Sequence, residues 1–101
     1  MPHVRRAIAV VVIALLPAGA SAVGVGQNCG GIAGIPCDAG LWCEWRAGMC
    51  GVPDVQGTCV RVPDACPAIV QQVCGCDGKT YGNDCERRAA KIAKAGDGPC
   101  Q

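Results

Sequence analysis

Ten cysteines lie in the last 73 residues of this 101-residue chain, and six of them fall between Cys59 and Cys100. Large aromatic side chains are scarce, and only Trp42, Trp45 and Tyr81 are present. A small chain with so little apolar material is typically held together by disulfides instead of a large hydrophobic core. We therefore expect a disulfide-rich fold in which five bridges, each contributing about 2–4 kcal/mol, supply most of the stability.

The first 22 residues have the three parts of a secretory signal peptide. Arg5 and Arg6 precede an apolar run over residues 7–16, and a stretch of small residues ends at Ala22. The run is shorter than the roughly 20 residues that span a bilayer. We predict cleavage after Ala22 and a secreted chain, extracellular or periplasmic, that has no membrane attachment after cleavage.

The composition of the secreted part excludes several classes of function. Removal of Arg5 and Arg6 leaves a net charge of −1, which gives no electrostatic attraction to nucleic acid or to an anionic membrane. His3 and Ser21 are removed with the signal peptide, so no histidine or serine remains for nucleophilic catalysis. We therefore predict that the chain is not an enzyme and carries no cofactor.

The segment over residues 23–58 is predicted to be a cysteine-rich β-hairpin followed by a connector. Residues 41–45 favour one strand and residues 48–51 a second, with glycines at turn positions around them. Residues 52–58 contain a proline, an aspartate and a glycine, and we interpret them as the connector.

The second segment, residues 59–101, has the pattern of a hairpin followed by a helix. An Asp-Gly pair at 77–78 stands between two short β-prone stretches, which is typical of a tight hairpin turn. Asn83 and Glu86 are spaced as a capping box. Strong helix formers follow over residues 85–95, so we predict a helix there that the next glycine stops.

A longer motif overlaps this hairpin. The stretch VCGCDGKTYGNDC, residues 73–85, lies within the spacing Cys-x7-Cys-x10-Cys-x14-Cys that runs from Cys66 to Cys100. In these motifs and this spacing, residues 59–100 resemble the Kazal family of serine protease inhibitors. The preceding four-cysteine hairpin resembles that of follistatin-like modules, in which such a hairpin leads into a Kazal domain. The resemblance implies a small disulfide-rich α+β fold with a short antiparallel hairpin and one helix, preceded by the cysteine-rich β-hairpin segment.

The residues alone leave the disulfide pairing open, and only the resemblance narrows it. The family has a further bridge to a helix cysteine three residues after Cys85, where this chain has Arg88, and this chain instead has an additional Cys76 in the hairpin. On the resemblance we expect Cys59 to pair with Cys76 and the four N-terminal cysteines to pair alternately. The full expected set is Cys66–Cys85, Cys74–Cys100, Cys59–Cys76, Cys29–Cys43 and Cys37–Cys50.

The resemblance also implies a functional loop, because the family's scissile bond lies just beyond the second cysteine of the domain. Carried onto this sequence, the bond is Ala68–Ile69, and Ala68 is the specificity residue. A loop already fixed in its bound shape avoids most of the ordering cost of entering a protease cleft. Asn83 matches the family residue that hydrogen-bonds loop carbonyls, and Tyr81 matches the core residue beneath the loop. The implied reactive loop is Cys66, Pro67, Ala68, Ile69 and Val70.

The resemblance implies an extracellular serine protease as the partner of a monomeric inhibitor. Ala68 is small and uncharged, so it suits an elastase-like or subtilisin-like pocket and lacks the cation that a trypsin pocket requires. The alternative is a non-inhibitory follistatin- or Kazal-like module that binds a secreted or matrix protein. A zinc-binding protein is disfavoured by the lack of histidine and by the oxidising compartment, so we predict no metal. We interpret the basic residues at helical spacing as a solvated face: Arg87, Arg88, Lys91 and Lys94.

Overall fold

The computed structural model of the protein describes residues 21–101. The predicted signal peptide, residues 1–22, therefore lies almost entirely outside the described residues. Within residues 21–101, no helix has the length and apolar character needed to cross a bilayer. This part of the chain forms six short strands and one helix, and the strands make two three-stranded antiparallel sheets.

The N-terminal sheet has the strand order β1–β3–β2. Its central strand β3 pairs antiparallel with both neighbours, which places Cys29 opposite Gly57 and Cys43 opposite Cys59. Cys29 and Cys59 are almost fully buried and form the centre of this half of the molecule. The strands are β1 (Asn28–Gly30), β2 (Leu41–Trp45) and β3 (Gln56–Arg61).

Two predictions for the N-terminal segment are wrong. Residues 48–51 are not a strand, and the partner of β2 is instead β3, which begins inside the predicted connector 52–58. The glycine that suggested a turn is required by the sheet itself. A Cβ at Gly57 would lie 2.5 Å from the carbonyl oxygen of Glu44 and 2.8 Å from the sulfur of Cys43, so no larger residue fits.

The second sheet has the strand order β5–β4–β6. The predicted Asp-Gly turn joins β4 to β5, where Gly78 adopts a left-handed φ of 78° and donates its N–H to the Gly75 carbonyl. The N–H of Gly75 in turn donates to the carbonyl of Lys79 at 2.9 Å, which closes the hairpin. The strands are β4 (Val73–Gly75), β5 (Thr80–Tyr81) and β6 (Lys94–Asp97).

The single helix of the described chain, α1 (Asp84–Ala89), is shorter than the predicted helix over residues 85–95. It begins as predicted, with Asn83 as N-cap accepting the N–H of Glu86 at 2.9 Å. Lys91 has a left-handed φ of 56°, which turns the chain away from the helix and into β6. The prediction fails because pairing of β6 with β4 overrides the helix propensity of these residues.

Five disulfides join all ten cysteines. Three pairs are those expected: Cys29–Cys43, Cys66–Cys85 and Cys74–Cys100. The expected pairs Cys37–Cys50 and Cys59–Cys76 are wrong, because the structure joins Cys37 to Cys59 and Cys50 to Cys76. The physical reason is that Cys59 lies on the central strand of the N-terminal sheet, whereas Cys76 lies in the hairpin of the second sheet. The Cys50–Cys76 bridge consequently links the two halves covalently.

Candidate functional site

The segment between Cys66 and β4 has no regular secondary structure and is largely open to solvent. Pro67 and Ala68 are exposed, and the two apolar side chains that follow, Ile69 and Val70, are 58% and 83% exposed. Consecutive exposed apolar side chains of this size add nothing to the core and are free to bury themselves against a partner. The segment therefore presents Ala68 and its neighbours outward.

The loop is held from behind by the buried side chain of Asn83, which is 7% exposed. Its Nδ2 donates to the carbonyl of Pro67 at 3.2 Å and to the carbonyl of Ile69 at 2.7 Å. These two carbonyls flank Ala68 in the sequence. These two bonds use both donors of the amide, and Oδ1 accepts the N–H of Glu86. The orientation of the amide is therefore set. One side chain thus caps the helix and holds the backbone on both sides of Ala68.

Two further anchors hold the ends of the loop. The disulfide from Cys66 to Cys85 ties its start to the first turn of α1. Farther along, the N–H of Gln71 donates to the carbonyl of Gly82 at 2.7 Å. Because one anchor lies on each side of the loop centre, a cut in the middle would leave both new ends attached to the same part of the molecule.

Tyr81 is half-buried in β5, and its hydrogen bond is made to the hairpin. Its hydroxyl donates to the carboxylate of Asp77 at 2.5 Å, and the same carboxylate accepts the N–H of Lys79 at 3.1 Å. The hydrogen bond from Tyr81 lowers the pKa of Asp77, and the bond to Asp77 raises the pKa of Tyr81. The Tyr81 ring lies beside Gly75, so it fixes the hairpin. Its support of the reactive loop stays a prediction.

Sequence reasoning missed a buried ion cluster beneath the helix. Arg87 is only 1% exposed, so its assignment to a solvated face is wrong. Its guanidinium donates to Glu44 at 2.5 Å, to Asp84 at 3.0 Å and to the carbonyl of Ile92 at 2.6 Å. Arg88 also donates to Glu44, at 3.1 Å. No local pattern signals this cluster, because Glu44 precedes Arg87 by 43 residues and lies in the other sheet.

One acidic member of the cluster, Asp84, is held in its charged form. Burial acts to raise the pKa of Asp84, but hydrogen bonds from Arg87 and Lys94 outweigh it and lower the pKa. The pKa of Lys94 is raised, first by its hydrogen bond to Asp97 and then by that to Asp84. The buried guanidinium therefore faces an ionised Asp84 at neutral pH.

Three cysteine sulfurs lie close enough together to resemble a metal site. Those of Cys29, Cys37 and Cys59 are within 4.8 Å of one another. They belong to the bridges Cys29–Cys43 and Cys37–Cys59, so they offer no thiolate to a zinc ion. The group is the packed centre of the N-terminal sheet.

Residues 58–100 match the family model of the Kazal-type serine protease inhibitor domain. The chain is 35% identical over 54 residues to serine protease inhibitor Kazal-type 1 from Sus scrofa, a match that covers 48% of this chain and 96% of that protein. It is 44% identical over 45 residues to the thrombin inhibitor rhodniin from Rhodnius prolixus, covering 39% of this chain. The chain therefore belongs to the Kazal-type serine protease inhibitor family, and both of these relatives are named as inhibitors.

Another similarity extends into the N-terminal sheet. Insulin-like growth factor-binding protein-like 1 from Bos taurus is 35% identical over 86 residues, which covers 75% of this chain but only 29% of that protein. The chain also spans only 44% of the length of rhodniin. The follistatin-like assignment of residues 23–58 stays a prediction. Of the two alternating disulfides expected there, Cys29–Cys43 forms and Cys37–Cys50 is replaced by Cys37–Cys59.

Proposed function

We propose that this chain is a secreted, monomeric inhibitor of extracellular serine proteases that acts through residues 66–70. The observation that carries the proposal is the pair of hydrogen bonds from Asn83 to the carbonyls on either side of Ala68, within an exposed loop. A backbone held on both sides of one outward-facing residue is what a substrate-like inhibitor needs. Membership of the Kazal-type family supports the same function.

Inhibition follows from geometry, since the attacking group belongs to the protease. The loop enters the cleft as an extended strand and pairs through its backbone, while Ala68 fills the main specificity pocket. Because the loop is already ordered, little conformational entropy is lost on binding. If the Ala68–Ile69 bond is cut, the Cys66–Cys85 bridge holds the upstream end beside the downstream one. Religation then competes with release, and the protease remains occupied.

The target that suits this loop best is an elastase-like or subtilisin-like protease. A methyl group at Ala68 fits a small or shallow apolar pocket and provides no cation for a trypsin-type pocket. The exposed side chains of Ile69 and Val70 add apolar contacts beyond the scissile bond.

The test is an inhibition panel with the secreted, oxidised chain against elastase, subtilisin and trypsin. Ala68→Arg should raise affinity for trypsin and lower it for elastase. Ile32→Arg is the matched control, because Ile32 is almost fully exposed in the N-terminal segment and receives the same charge far along the chain from the loop. Mass spectrometry should place any slow cut between Ala68 and Ile69.

Two outcomes of this panel would overturn the proposal. A folded chain that inhibits none of the three proteases, and whose Ala68→Arg variant gains nothing against trypsin, would favour a non-inhibitory binding module. Rapid digestion at Ala68–Ile69, at the rate of an unconstrained peptide, would equally remove the basis for inhibition.

A further inference from the structure

We propose that Glu44, on strand β2 of the N-terminal sheet, is a positioning residue for the reactive loop. It acts through Arg87 and the helix whose N-cap is Asn83. This inference rests on the proposed inhibitory function and extends the inhibitory scaffold to the N-terminal sheet. The juxtaposition behind it is a carboxylate of one sheet paired with a buried guanidinium under the helix of the other.

The pairing of Glu44 with Arg87 is strongly determined. The side chain of Arg87 is 1% exposed and that of Glu44 is 14% exposed, so water competes little for either group. A buried guanidinium that loses one of its two carboxylate partners is less well compensated, which ties the position of Arg87 to that of Glu44. The other two partners of Arg87 belong to the helix and the segment that follows it: they are Asp84 and the carbonyl of Ile92. Glu44 is the partner that the N-terminal sheet contributes.

The distance from Arg87 to the loop support is one helical turn. The backbone N–H of Arg87 donates to the carbonyl of Asn83 at 3.2 Å, and the Asn83 side chain donates to the carbonyls of Pro67 and Ile69. A helix of six residues is not stable by itself, so side-chain contacts decide where it lies. A shift of the helix at Arg87 therefore moves the Asn83 amide relative to both loop carbonyls.

The residue at position 88 strengthens this inference. Where the Kazal resemblance implies a helix cysteine that bridges to an early cysteine, this chain has Arg88, which donates to both carboxylate oxygens of Glu44 at 3.1 and 3.2 Å. Glu44 thus holds two successive helix residues. A covalent link between the same two halves is made elsewhere, by Cys50–Cys76. At the helix, an ion pair therefore takes the place of the disulfide that the family resemblance implies.

The experiment compares the full secreted chain with Glu44→Ala and Glu44→Gln. Asp97→Ala is the matched control, because it also removes a carboxylate from a cation of the second sheet, Lys94, but leaves Arg87 untouched. Three quantities are measured: the Ki against subtilisin or elastase, the equilibrium ratio of cleaved to intact inhibitor, and the hydrogen exchange of the Glu86 amide, which is bonded to Asn83.

We expect Glu44→Ala to raise Ki and the cleaved-to-intact ratio by about tenfold, a coupling of ordinary size between sites that do not touch. The Glu86 amide should exchange faster. Glu44→Gln should lie between wild type and Glu44→Ala, since its amide oxygen still accepts from Arg87 without the charge. Asp97→Ala should leave all three quantities within about twofold of wild type.

A double-mutant cycle separates positioning from a general loss of stability. Asn83→Ser removes both donors to the loop, so if Glu44 acts through Asn83, adding Glu44→Ala should raise Ki by no more than about twofold further. If the Ki of the double variant instead rises by the product of the two single-variant increases, the inference is overturned. If Glu44→Ala does not fold, the same measurements on Glu44→Gln decide.

The outcomes also distinguish this inference from the proposed function. If wild type inhibits and both Glu44 variants inhibit equally well with unchanged exchange, Glu44 has no positioning role and the proposed function stands. If wild type inhibits no protease, the proposed function fails and amide exchange alone decides. Unchanged exchange at Glu86 then overturns the positioning by Glu44, whereas faster exchange at Glu86 supports it.

Discussion

Substitution of Asn83 by serine removes the loop support while keeping the helix cap. A serine oxygen can still accept the N–H of Glu86, but a hydroxyl on so short a side chain cannot replace the two donors that reach Pro67 and Ile69. Each net hydrogen bond contributes about 0.5–1.5 kcal/mol, so the loss is about 1–3 kcal/mol if both bonds strengthen the bound form of the loop. We therefore expect Ki to rise about 5- to 150-fold.

The assay is Ki by titration against subtilisin or elastase, paired with thermal unfolding of the same oxidised samples. Asn83→Ala loses the cap as well, so it should lose about 1 kcal/mol more stability than Asn83→Ser while showing a similar Ki. Asn83→Asp keeps shape and cap but places a carboxylate oxygen against two carbonyl oxygens, so its Ki should rise at least as much. The reasoning is refuted if Asn83→Ser and Asn83→Asp both inhibit within twofold of wild type.

Two further predictions concern the hairpin behind the loop. Tyr81 is the only tyrosine, so its absorbance titration should show a midpoint above the ordinary value of 10.0 that returns toward 10.0 in Asp77→Asn. Since the folded-state pKa of Tyr81 is raised, its contribution to stability is present below pH 10.0 and is lost as the pH rises through the folded-state value. The folded-state pKa of Asp77 is lowered, so its contribution is present above pH 3.8 and is lost as the pH falls through the folded-state value. Gly75→Ala should lower the free energy of unfolding by about 1–3 kcal/mol, because a Cβ there would lie 2.5 Å from an Asp77 oxygen and 2.8 Å from atoms of Ile92 and Tyr81. Gly96→Ala is its control in denaturant unfolding and should change stability by under about 0.5 kcal/mol, since no atom of the described chain beyond Gly96 and its two neighbours lies within 4 Å of its Cβ position. Equal losses in the two variants would contradict the packing argument.

The hairpin turn and the start of the helix could be predicted because their signals are local. The turn at 77–78 and the cap at Asn83 each depend on residues within four positions of one another. The bridge from Cys66 to Cys85 came from the family spacing that surrounds them. Where the contacts that determine an element lie inside one short motif, the local propensity and spacing favour the same conformation as the folded structure.

The end of the helix and the boundary between the halves depend on distant pairing. Residues 94–97 have a helix-forming neighbourhood, yet they gain backbone hydrogen bonds as a third strand beside β4. Likewise β3 crosses the predicted division between 23–58 and 59–101, so its first residues resemble a connector until β1 and β2 pair with them. That division of domains stays a prediction. What single-sequence reasoning lacks here is knowledge of which strand lies beside which.

The exchanged disulfides and the buried arginine have a common origin. Cys59 is the early cysteine of the Kazal pattern, but it lies in the N-terminal sheet and pairs there with Cys37. Cys76 is therefore left to pair with Cys50, which joins the two halves. The same interface buries Arg87, whose charge is balanced by Asp84 on the helix and by Glu44 from the N-terminal sheet. Neither half is therefore complete alone, since Arg87 would lose one of its two carboxylate partners and each half would hold an unpaired cysteine. The two sheets form one scaffold behind the loop, which no motif within a single segment could have revealed.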